Sequence, residues 1–145
     1  MRNLLLLFVV LTGTMGMAQQ KINTDRKGVA AEGYDVVAYF DNLAVKGKSE
    51  LKFTIDGVHY LFSAKENLEK FEKNSEKYIP QYGGWCAYAM GSKNELVAID
   101  PKTFEIRNDK LYLFYNSWGI NTLDLWIEEG AEGLKSKADS NWNNR

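Results

Sequence analysis

The chain has 145 residues, a formal net charge of −1 and a single cysteine. A near-neutral charge without a basic cluster argues against a nucleic acid or an anionic membrane surface as the partner. A single cysteine also excludes an internal disulfide, so the fold must be stabilised by packing alone.

Residues 1–18 have the pattern of a secretory signal peptide. Arg2 precedes an apolar run from Leu4 to Leu11, and Gly16 and Ala18 are small residues at the −3 and −1 positions of a cleavage site. The apolar run is too short to cross a bilayer. We therefore expect an exported protein, periplasmic or secreted, with no membrane anchor after cleavage. Residues 19–27 are polar and predict a flexible arm, and residues 28–145 predict a single domain.

The first half of that domain contains two local patterns. The apolar run from Gly33 to Phe40 is short enough to be a strand or a single helical turn, and periodicity does not decide between them. Residues 51–62 alternate around Asp56-Gly57, which predicts a tight hairpin. A two-residue turn pairs Ile55 with Val58, Phe53 with Tyr60 and Leu51 with Phe62 on the core face, and it directs His59 to the other face, opposite Thr54.

A helix is expected to follow the hairpin. Ser63 and Glu66 have the spacing of a capping box, and Leu68 and Phe71 form the apolar stripe of a helix that ends at Asn74. A further short turn then leads through Tyr78.

Residues 78–91 contain the only cysteine of the chain. Pro80 ends the preceding element, and Gly83-Gly84 permits backbone conformations that other residues avoid. Residues 85–90 predict a short helix ended by Gly91, with Cys86 in its first turn. Unpaired N–H groups at a helix start stabilise a thiolate, so Cys86 is the first candidate for chemistry.

The second half predicts strands followed by helices. Residues 96–99 predict a short strand, and residues 104–106 and 111–115 predict a hairpin whose second strand, apolar on both faces, lies in the middle of the sheet. Asn116 or Ser117 is expected to cap a helix carrying Ile120, Leu123, Trp126 and Ile127. A last helix shows an apolar stripe at Ala131, Leu134, Ala138 and Trp142. The expected fold class is α+β: a small, mainly antiparallel sheet built from two β-hairpins, with short helices packed around it.

This order of motifs resembles the YHS domain family. The resemblance rests on residues 57–63, Glu69-Lys70-Phe71-Glu72, residues 74–78 and residues 81–88. Residues 33–40 match an element of the small exported bacterial YHS proteins, a branch that includes proteins described as selenoproteins. A selenocysteine aligned with Cys86 would favour a redox or soft-metal role for that position.

The resemblance implies a metal-handling role, because YHS domains occur fused to heavy-metal transporters and other metal-handling proteins. In metal-binding relatives the strand-to-helix junction reads Phe-Cys-x-x-x-Cys, which supplies thiolates for a soft metal. Here those positions are Phe62-Ser63 and Asn67. This chain therefore lacks the family's thiolate pair.

Each candidate residue has a structural alternative. Cys86 is either a reactive thiolate or soft-metal ligand, or a small buried residue. His59, the only histidine, is either its partner ligand or a partly solvated strand residue. Met90, four residues after Cys86 on one helical face, is either a thioether ligand or core, and Ser63 is a helix cap rather than a nucleophile.

Three hypotheses follow from these readings. The first is an exported binding protein for a soft metal ion, copper or zinc, with Cys86 as the main ligand and His59 and Met90 as partners. The second is a thiol redox protein that uses Cys86 without metal. The third is a structural or partner-binding domain. The chain shows no phosphate loop, dinucleotide fingerprint, zinc-ligand spacing or Cys-x-x-Cys, so a non-enzymatic role is favoured.

Overall fold

The structure is a computed structural model that describes residues 20–145. The signal peptide expected at residues 1–18 lies outside the described residues. Within residues 20–145 the fold is α+β, as the sequence predicts, with three two-stranded antiparallel sheets and five α-helices. The strands are β1 (Lys48–Ile55), β2 (Val58–Phe62), β3 (Asp100–Arg107), β4 (Lys110–Phe114), β5 (Asn116–Ser117) and β6 (Ile120–Asn121). The helices are α1 (Lys65–Lys73), α2 (Ser75–Tyr78), α3 (Ala87–Lys93), α4 (Thr122–Glu128) and α5 (Ala131–Asn143).

The first hairpin, β1–β2, has the predicted register near its turn. Ile55 pairs with Val58 and Phe53 with Tyr60. The predicted pair of Leu51 with Phe62 is wrong, because an irregularity in β1 between residues 48 and 52 shifts the register and Phe62 pairs with Lys48 instead. Such a bulge places extra residues in one strand and turns the side chains beyond it.

The run from residue 33 to 40 contains no strand: Tyr34 is extended and forms an isolated bridge with Lys46, whereas residues 38–40 are helical. Two short 3-10 helices, Ala31–Gly33 and Ala38–Asp41, precede β1. Asp35 lies between them and is fully buried, and it is the only acidic or basic side chain of residues 20–145 that is buried.

The second hairpin, β3–β4, forms with the predicted turn, since Asn108 and Asp109 both have left-handed φ values of 50° and 59°. Residues 111–114 are all buried, which agrees with a strand covered on both faces. However, β4 pairs only with β3, so it does not lie in the middle of a larger sheet. The strand predicted at residues 96–99 is also wrong: these residues have no regular secondary structure, and β3 begins at Asp100.

The cap predicted at Asn116 or Ser117 is wrong. These two residues form β5, which pairs with β6 across a turn at Trp118-Gly119. Asn121 caps α4 instead, because its side chain accepts a hydrogen bond of 3.1 Å from the N–H of Leu123. The last helix is confirmed as α5, with Ala131, Leu134 and Ala138 buried.

The packing of α5 explains why α3 contains a glycine. The sequence suggests that Gly91 ends the helix, but α3 continues to Lys93 and ends at Asn94, which has a left-handed φ of 53°. A Cβ at Gly91 would lie 2.5 Å from the carbonyl oxygen of Leu134. Gly91 therefore permits α3 and α5 to pack closely.

Residues 20–25 are fixed to the domain, which differs from the flexible arm expected there. The N–H of Asn23 donates to the carbonyl of Gly83 at 2.9 Å, and the indole N–H of Trp85 donates to the carbonyl of Lys21 at 2.8 Å. The side-chain amide of Gln20 donates to the carbonyl of Trp142. These contacts tie the segment to α5 and to the turn that precedes Cys86.

The buried side chains form two clusters. One packs the first hairpin and α1 around Tyr39, Phe62 and Phe71, and the other packs β4, α3, α4 and α5 around Tyr112 and Trp126. Among residues 20–145, no helix has the length and apolar character needed to cross a membrane.

Candidate functional site

The turn before Cys86 is built from three consecutive left-handed residues. Tyr82, Gly83 and Gly84 have φ values of 56°, 61° and 79°. A Cβ at Gly83 would lie 2.8 Å from the ring of Trp142 and 3.1 Å from the carbonyl oxygen of Lys21, so this turn is pressed between α5 and the N-terminal segment. The tight turn then places Cys86 directly before α3.

The helix that follows Cys86 begins at Ala87, two residues later than the sequence indicates. Cys86 is the N-cap of α3 rather than a residue of its first turn, and its side chain makes no capping hydrogen bond. Its own N–H donates to the carbonyl of Val97 at 2.9 Å. The side chain of Cys86 therefore accepts no hydrogen bond from the free N–H groups of the helix, and its backbone contacts another part of the chain.

Two groups contact the sulfur of Cys86. The N–H of Tyr115 donates to Sγ at 3.3 Å, and Oγ1 of Thr122 lies 3.4 Å from it. The Thr122 hydroxyl donates to the carbonyl of Tyr115 at 2.6 Å, which uses its only proton. The neutral thiol of Cys86 therefore donates to Thr122 and accepts from Tyr115.

Cys86 is one of the residues around a cavity of about 310 Å³, which we call the Cys86 cavity. The side chain of Cys86 itself is fully buried, whereas Lys93 and Glu95 at the rim are exposed. The remaining wall residues are largely apolar and come from α3, the irregular segment before β3, the end of β4, β6 and α4: Tyr88, Ala89, Val97, Tyr115, Ile120, Thr122 and Leu125. A volume near 300 Å³ is at the lower end of the range for small-molecule sites.

One wall of the Cys86 cavity is fixed by a hydrogen bond between helices. The hydroxyl of Tyr88 donates to the carboxylate of Glu129 at 2.8 Å. This hydrogen bond raises the pKa of Tyr88, because losing the phenolic proton would place two negative charges side by side. Tyr88 therefore links α3 to the end of α4.

His59 lies where the hairpin register predicts, and it does not line the Cys86 cavity. Its Nδ1 is 2.7 Å from Oγ1 of Thr54 on the non-core face of the hairpin. It is partly exposed and lines a different cavity together with Asp25 and Lys27.

Met90 is fully buried in the cluster of Tyr112 and Trp126. Its N–H donates to the carbonyl of Cys86 at 3.1 Å, but its side chain is not part of the wall of the Cys86 cavity. The three residues that the sequence suggests as metal ligands, Cys86, His59 and Met90, thus have three different surroundings.

Ser63 does not cap α1, contrary to the capping-box prediction. Ala64 is the N-cap residue, without a side-chain cap, and the hydroxyl of Ser63 donates to Oδ2 of Asp35 at 2.7 Å. The same oxygen accepts the N–H of Ser63 and the side-chain amide of Asn67, both at 2.8 Å. Ser63 and Asn67 thus hold the carboxylate of Asp35.

Sequence reasoning missed Asp35 as an organising residue. Its other oxygen, Oδ1, accepts the N–H groups of Val37 and Ala38 at 2.9 and 3.2 Å. The available signal was a single acidic residue inside an otherwise apolar run, since a buried carboxylate requires hydrogen-bond donors around it.

Comparisons with protein-family models, curated proteins and solved structures find no match for this chain. Among residues 20–145, no three His, Cys, Asp or Glu side chains gather as a group that could hold a metal ion. The Cys86 cavity is therefore characterised only by its volume, its lining residues and its buried thiol.

Proposed function

We propose that this chain is a small exported protein of the YHS type that binds a soft metal ion, copper or zinc, at Cys86. The observation that carries the proposal is that the only thiol of the chain lies, buried, beside a cavity of about 310 Å³. Thiolate is a preferred ligand of Cu(I) and Zn²⁺. The resemblance of residues 81–88 to the family's Gly-Gly-aromatic-Cys element supports the same position.

Metal binding requires the thiol of Cys86 to lose its proton. The N–H of Tyr115 already points at the sulfur, and the hydroxyl of Thr122, now bonded to the carbonyl of Tyr115, needs only a rotation to donate to a thiolate. The site can therefore stabilise the charged sulfur without moving the backbone.

The size of the cavity suggests how the ion completes its coordination. The volume of about 310 Å³ is far larger than the ~30 Å³ that one water molecule occupies in the liquid. A bare ion would leave most of it empty. The remaining ligands in our proposal come from Glu95 at the rim or from a small molecule that enters with the ion, and His59 and Met90 take no part.

The test measures Cu(I) and Zn²⁺ binding to the reduced mature protein by competition with chromophoric chelators. We expect one equivalent to bind, Cys86→Ser to abolish binding, and the matched controls His59→Ala and Met90→Leu to retain it. Loss of binding in His59→Ala, or equal binding by Cys86→Ser, would contradict a site centred on Cys86. A protein that binds neither ion would overturn the metal proposal.

A second candidate is a thiol redox function, and the same cavity favours it because it admits a small organic disulfide. The thiolate of Cys86 would attack one sulfur of the disulfide; the S–S bond breaks, a mixed disulfide forms on Cys86, and the other half leaves as a thiolate that takes up a proton. Treatment with cystamine should then add one cysteamine unit to the folded protein, detected by mass spectrometry. If Cys86 reacts with neither cystamine nor iodoacetamide until the protein is unfolded, both the metal and the redox candidates fail and Cys86 is a core residue.

A further inference from the structure

A second and larger cavity lies on the far face of the first hairpin and has a volume of about 510 Å³. We call it the His59 cavity. Its walls come from the segment before the first 3-10 helix, from the loop before β1, and from β1 and β2. Its charged and titratable wall residues are Asp25, Lys27, Glu32, Lys46, Lys52 and His59.

The floor of the His59 cavity is closely packed backbone. A Cβ at Gly47 would lie 2.3 Å from the carbonyl carbon of Leu61, so the loop before β1 lies directly against β2. Backbone hydrogen bonds of 2.8 and 2.9 Å join Gly28 and Ala30 to His59. The wall groups therefore project from fixed positions on three adjoining segments.

Three lysines supply the positive charge of the cavity. Lys27, Lys46 and Lys52 make no salt bridge with any residue in the described range 20–145. They come from three different segments and share one concave wall. Their arrangement leaves cationic groups available to a ligand.

The two acidic groups of the cavity offset only part of this charge. Asp25 is engaged by the backbone, because its Oδ1 accepts the N–H groups of Lys27 and Val29 at 2.8 and 3.0 Å. The pKa of Glu32 is raised by partial desolvation and by repulsion from Asp100, although the positive charge of Lys46 opposes these two effects. Three lysines against two carboxylates leave an excess positive charge on the wall.

The backbone at Glu32 has an unfavourable conformation. Ala31 and Glu32 are consecutive residues with left-handed φ values of 51° each. Side-chain-bearing residues other than Asn and Asp rarely adopt this conformation, and such residues concentrate at functional sites. Of this strained pair, Glu32 lines the His59 cavity.

His59 adds a directional donor. Its Nδ1 is engaged by Thr54, and its backbone is held on both sides, so Nε2 is the ring nitrogen left for a ligand. In the tautomer in which Thr54 donates to Nδ1, Nε2 is the nitrogen that can donate to a ligand.

We propose that the His59 cavity binds a small organic anion bearing a carboxylate or phosphate group, with the lysines supplying charge and Nε2 of His59 supplying a hydrogen bond. The cavity volume lies within the range typical of small-molecule sites. This site is separate from the Cys86 cavity and does not depend on the function proposed for it.

His59 is the only histidine, so its ring protons give isolated NMR signals that report on this cavity alone. The experiment titrates the full mature protein with citrate and, separately, with inorganic phosphate, against sodium chloride at matched ionic strength. We expect saturable shifts of the His59 ring signals; saturation by citrate identifies a carboxylate site and saturation by phosphate a phosphate site. Lys52→Gln should weaken binding at least tenfold, whereas Lys110→Gln, an exposed lysine of the second hairpin, should leave it unchanged.

Two results would overturn the proposal. One is the absence of a saturable shift with either anion beyond the chloride control. The other is equal weakening by Lys52→Gln and Lys110→Gln, which would show a general effect of net charge. Cys86→Ser should bind the anion as the unchanged protein does. Anion binding in the His59 cavity and metal binding at Cys86 can therefore fail independently of each other.

Discussion

The carboxylate of Asp35 accepts two hydrogen bonds from Ser63, one from its N–H at 2.8 Å and one from its hydroxyl at 2.7 Å, across 28 positions of sequence. This contact joins the buried segment between the first two 3-10 helices to the junction of β2 and α1. It is thus the tertiary contact that fixes the start of α1.

Asp35→Asn should lower the free energy of unfolding by about 3 kcal/mol, because the amide group places donors against the donors that surround a buried carboxylate. Ser63→Ala should cost only about 1 kcal/mol, since the backbone N–H of Ser63 remains. Urea denaturation of both variants measures these values. Glu66→Ala is the control: a capping box would make it destabilising, whereas the structure predicts almost no change. A Glu66→Ala loss as large as that of Ser63→Ala would restore the capping interpretation.

Thr122→Val should slow the alkylation of Cys86 in the folded protein by about tenfold, the equivalent of one hydrogen bond of ~1.4 kcal/mol to the thiolate. The change keeps the volume of the side chain and removes the hydroxyl 3.4 Å from Sγ. Thr122→Ser keeps the hydroxyl and should react at close to the original rate. Iodoacetamide labelling followed by mass spectrometry gives both rates, and equal rates in the two variants would contradict a role for the hydroxyl.

Tyr112→Phe should leave the protein equally stable or stabilise it by up to about 1 kcal/mol. Among residues 20–145, the hydroxyl of Tyr112 is the one buried side-chain oxygen or nitrogen without a hydrogen-bond partner, so removing it relieves a desolvation cost. Tyr82→Phe is the matched variant and should destabilise, because the Tyr82 hydroxyl donates to Asp139 at 2.8 Å. Thermal unfolding of the pair tests the difference, which an ordered water bound to Tyr112 would reverse.

Gly133→Ala and Gly83→Ala should have opposite effects on stability. Gly133 lies within α5 with open space around its Cα, so alanine should stabilise by about 0.5–1 kcal/mol. Gly83 has a left-handed φ of 61° and no room for a Cβ beside Trp142, so alanine there should destabilise. Chemical denaturation gives both values, and a neutral Gly83→Ala would show that the turn can relax.

The stability of the protein should fall between pH 10 and pH 12. Burial raises the pKa of Tyr60 to about 12, whereas a tyrosine in the unfolded chain has a pKa of about 10. The unfolded chain therefore loses this proton first, and the stabilising contribution is complete below pH 10 and is lost as the pH rises toward 12. At pH 11 the loss from Tyr60 is about 1.4 kcal/mol. Urea unfolding of Tyr60→Phe at pH 9 and pH 11 should show a smaller decrease than the unchanged protein, and an equal decrease would exclude Tyr60 as a contributor.

Local chemistry predicted the parts of the fold that depend on neighbours in sequence. The pairs Ile55–Val58 and Phe53–Tyr60 follow from a two-residue turn at Asp56-Gly57. The pair Leu51–Phe62 failed because a bulge in β1 leaves no mark in the alternation of apolar residues. A turn therefore fixes the register only as far as the first irregularity.

The candidate site depended on contacts that the sequence does not display. Cys86 was recognised as the residue of interest, but its sulfur is held by Tyr115 and Thr122, which are 29 and 36 positions away. The cap assigned to Ser63 failed for the same reason, because Asp35 competes for its hydroxyl from 28 positions away. Residue type indicates what a side chain can bind, whereas packing decides which partner it meets.

The hydrogen bond from the indole of Trp85 to the carbonyl of Lys21 has a practical consequence for protein production. The residue before Cys86 is anchored by a residue only three positions beyond the expected cleavage point at Ala18. A shortened chain that begins after Asn23 would lack this acceptor. It would also lack the hydrogen bonds that Asn23 donates to the carbonyls of Gly83 and Gly84. Removing this segment for expression would therefore alter the surroundings of Cys86. An affinity tag is better placed at the C-terminus.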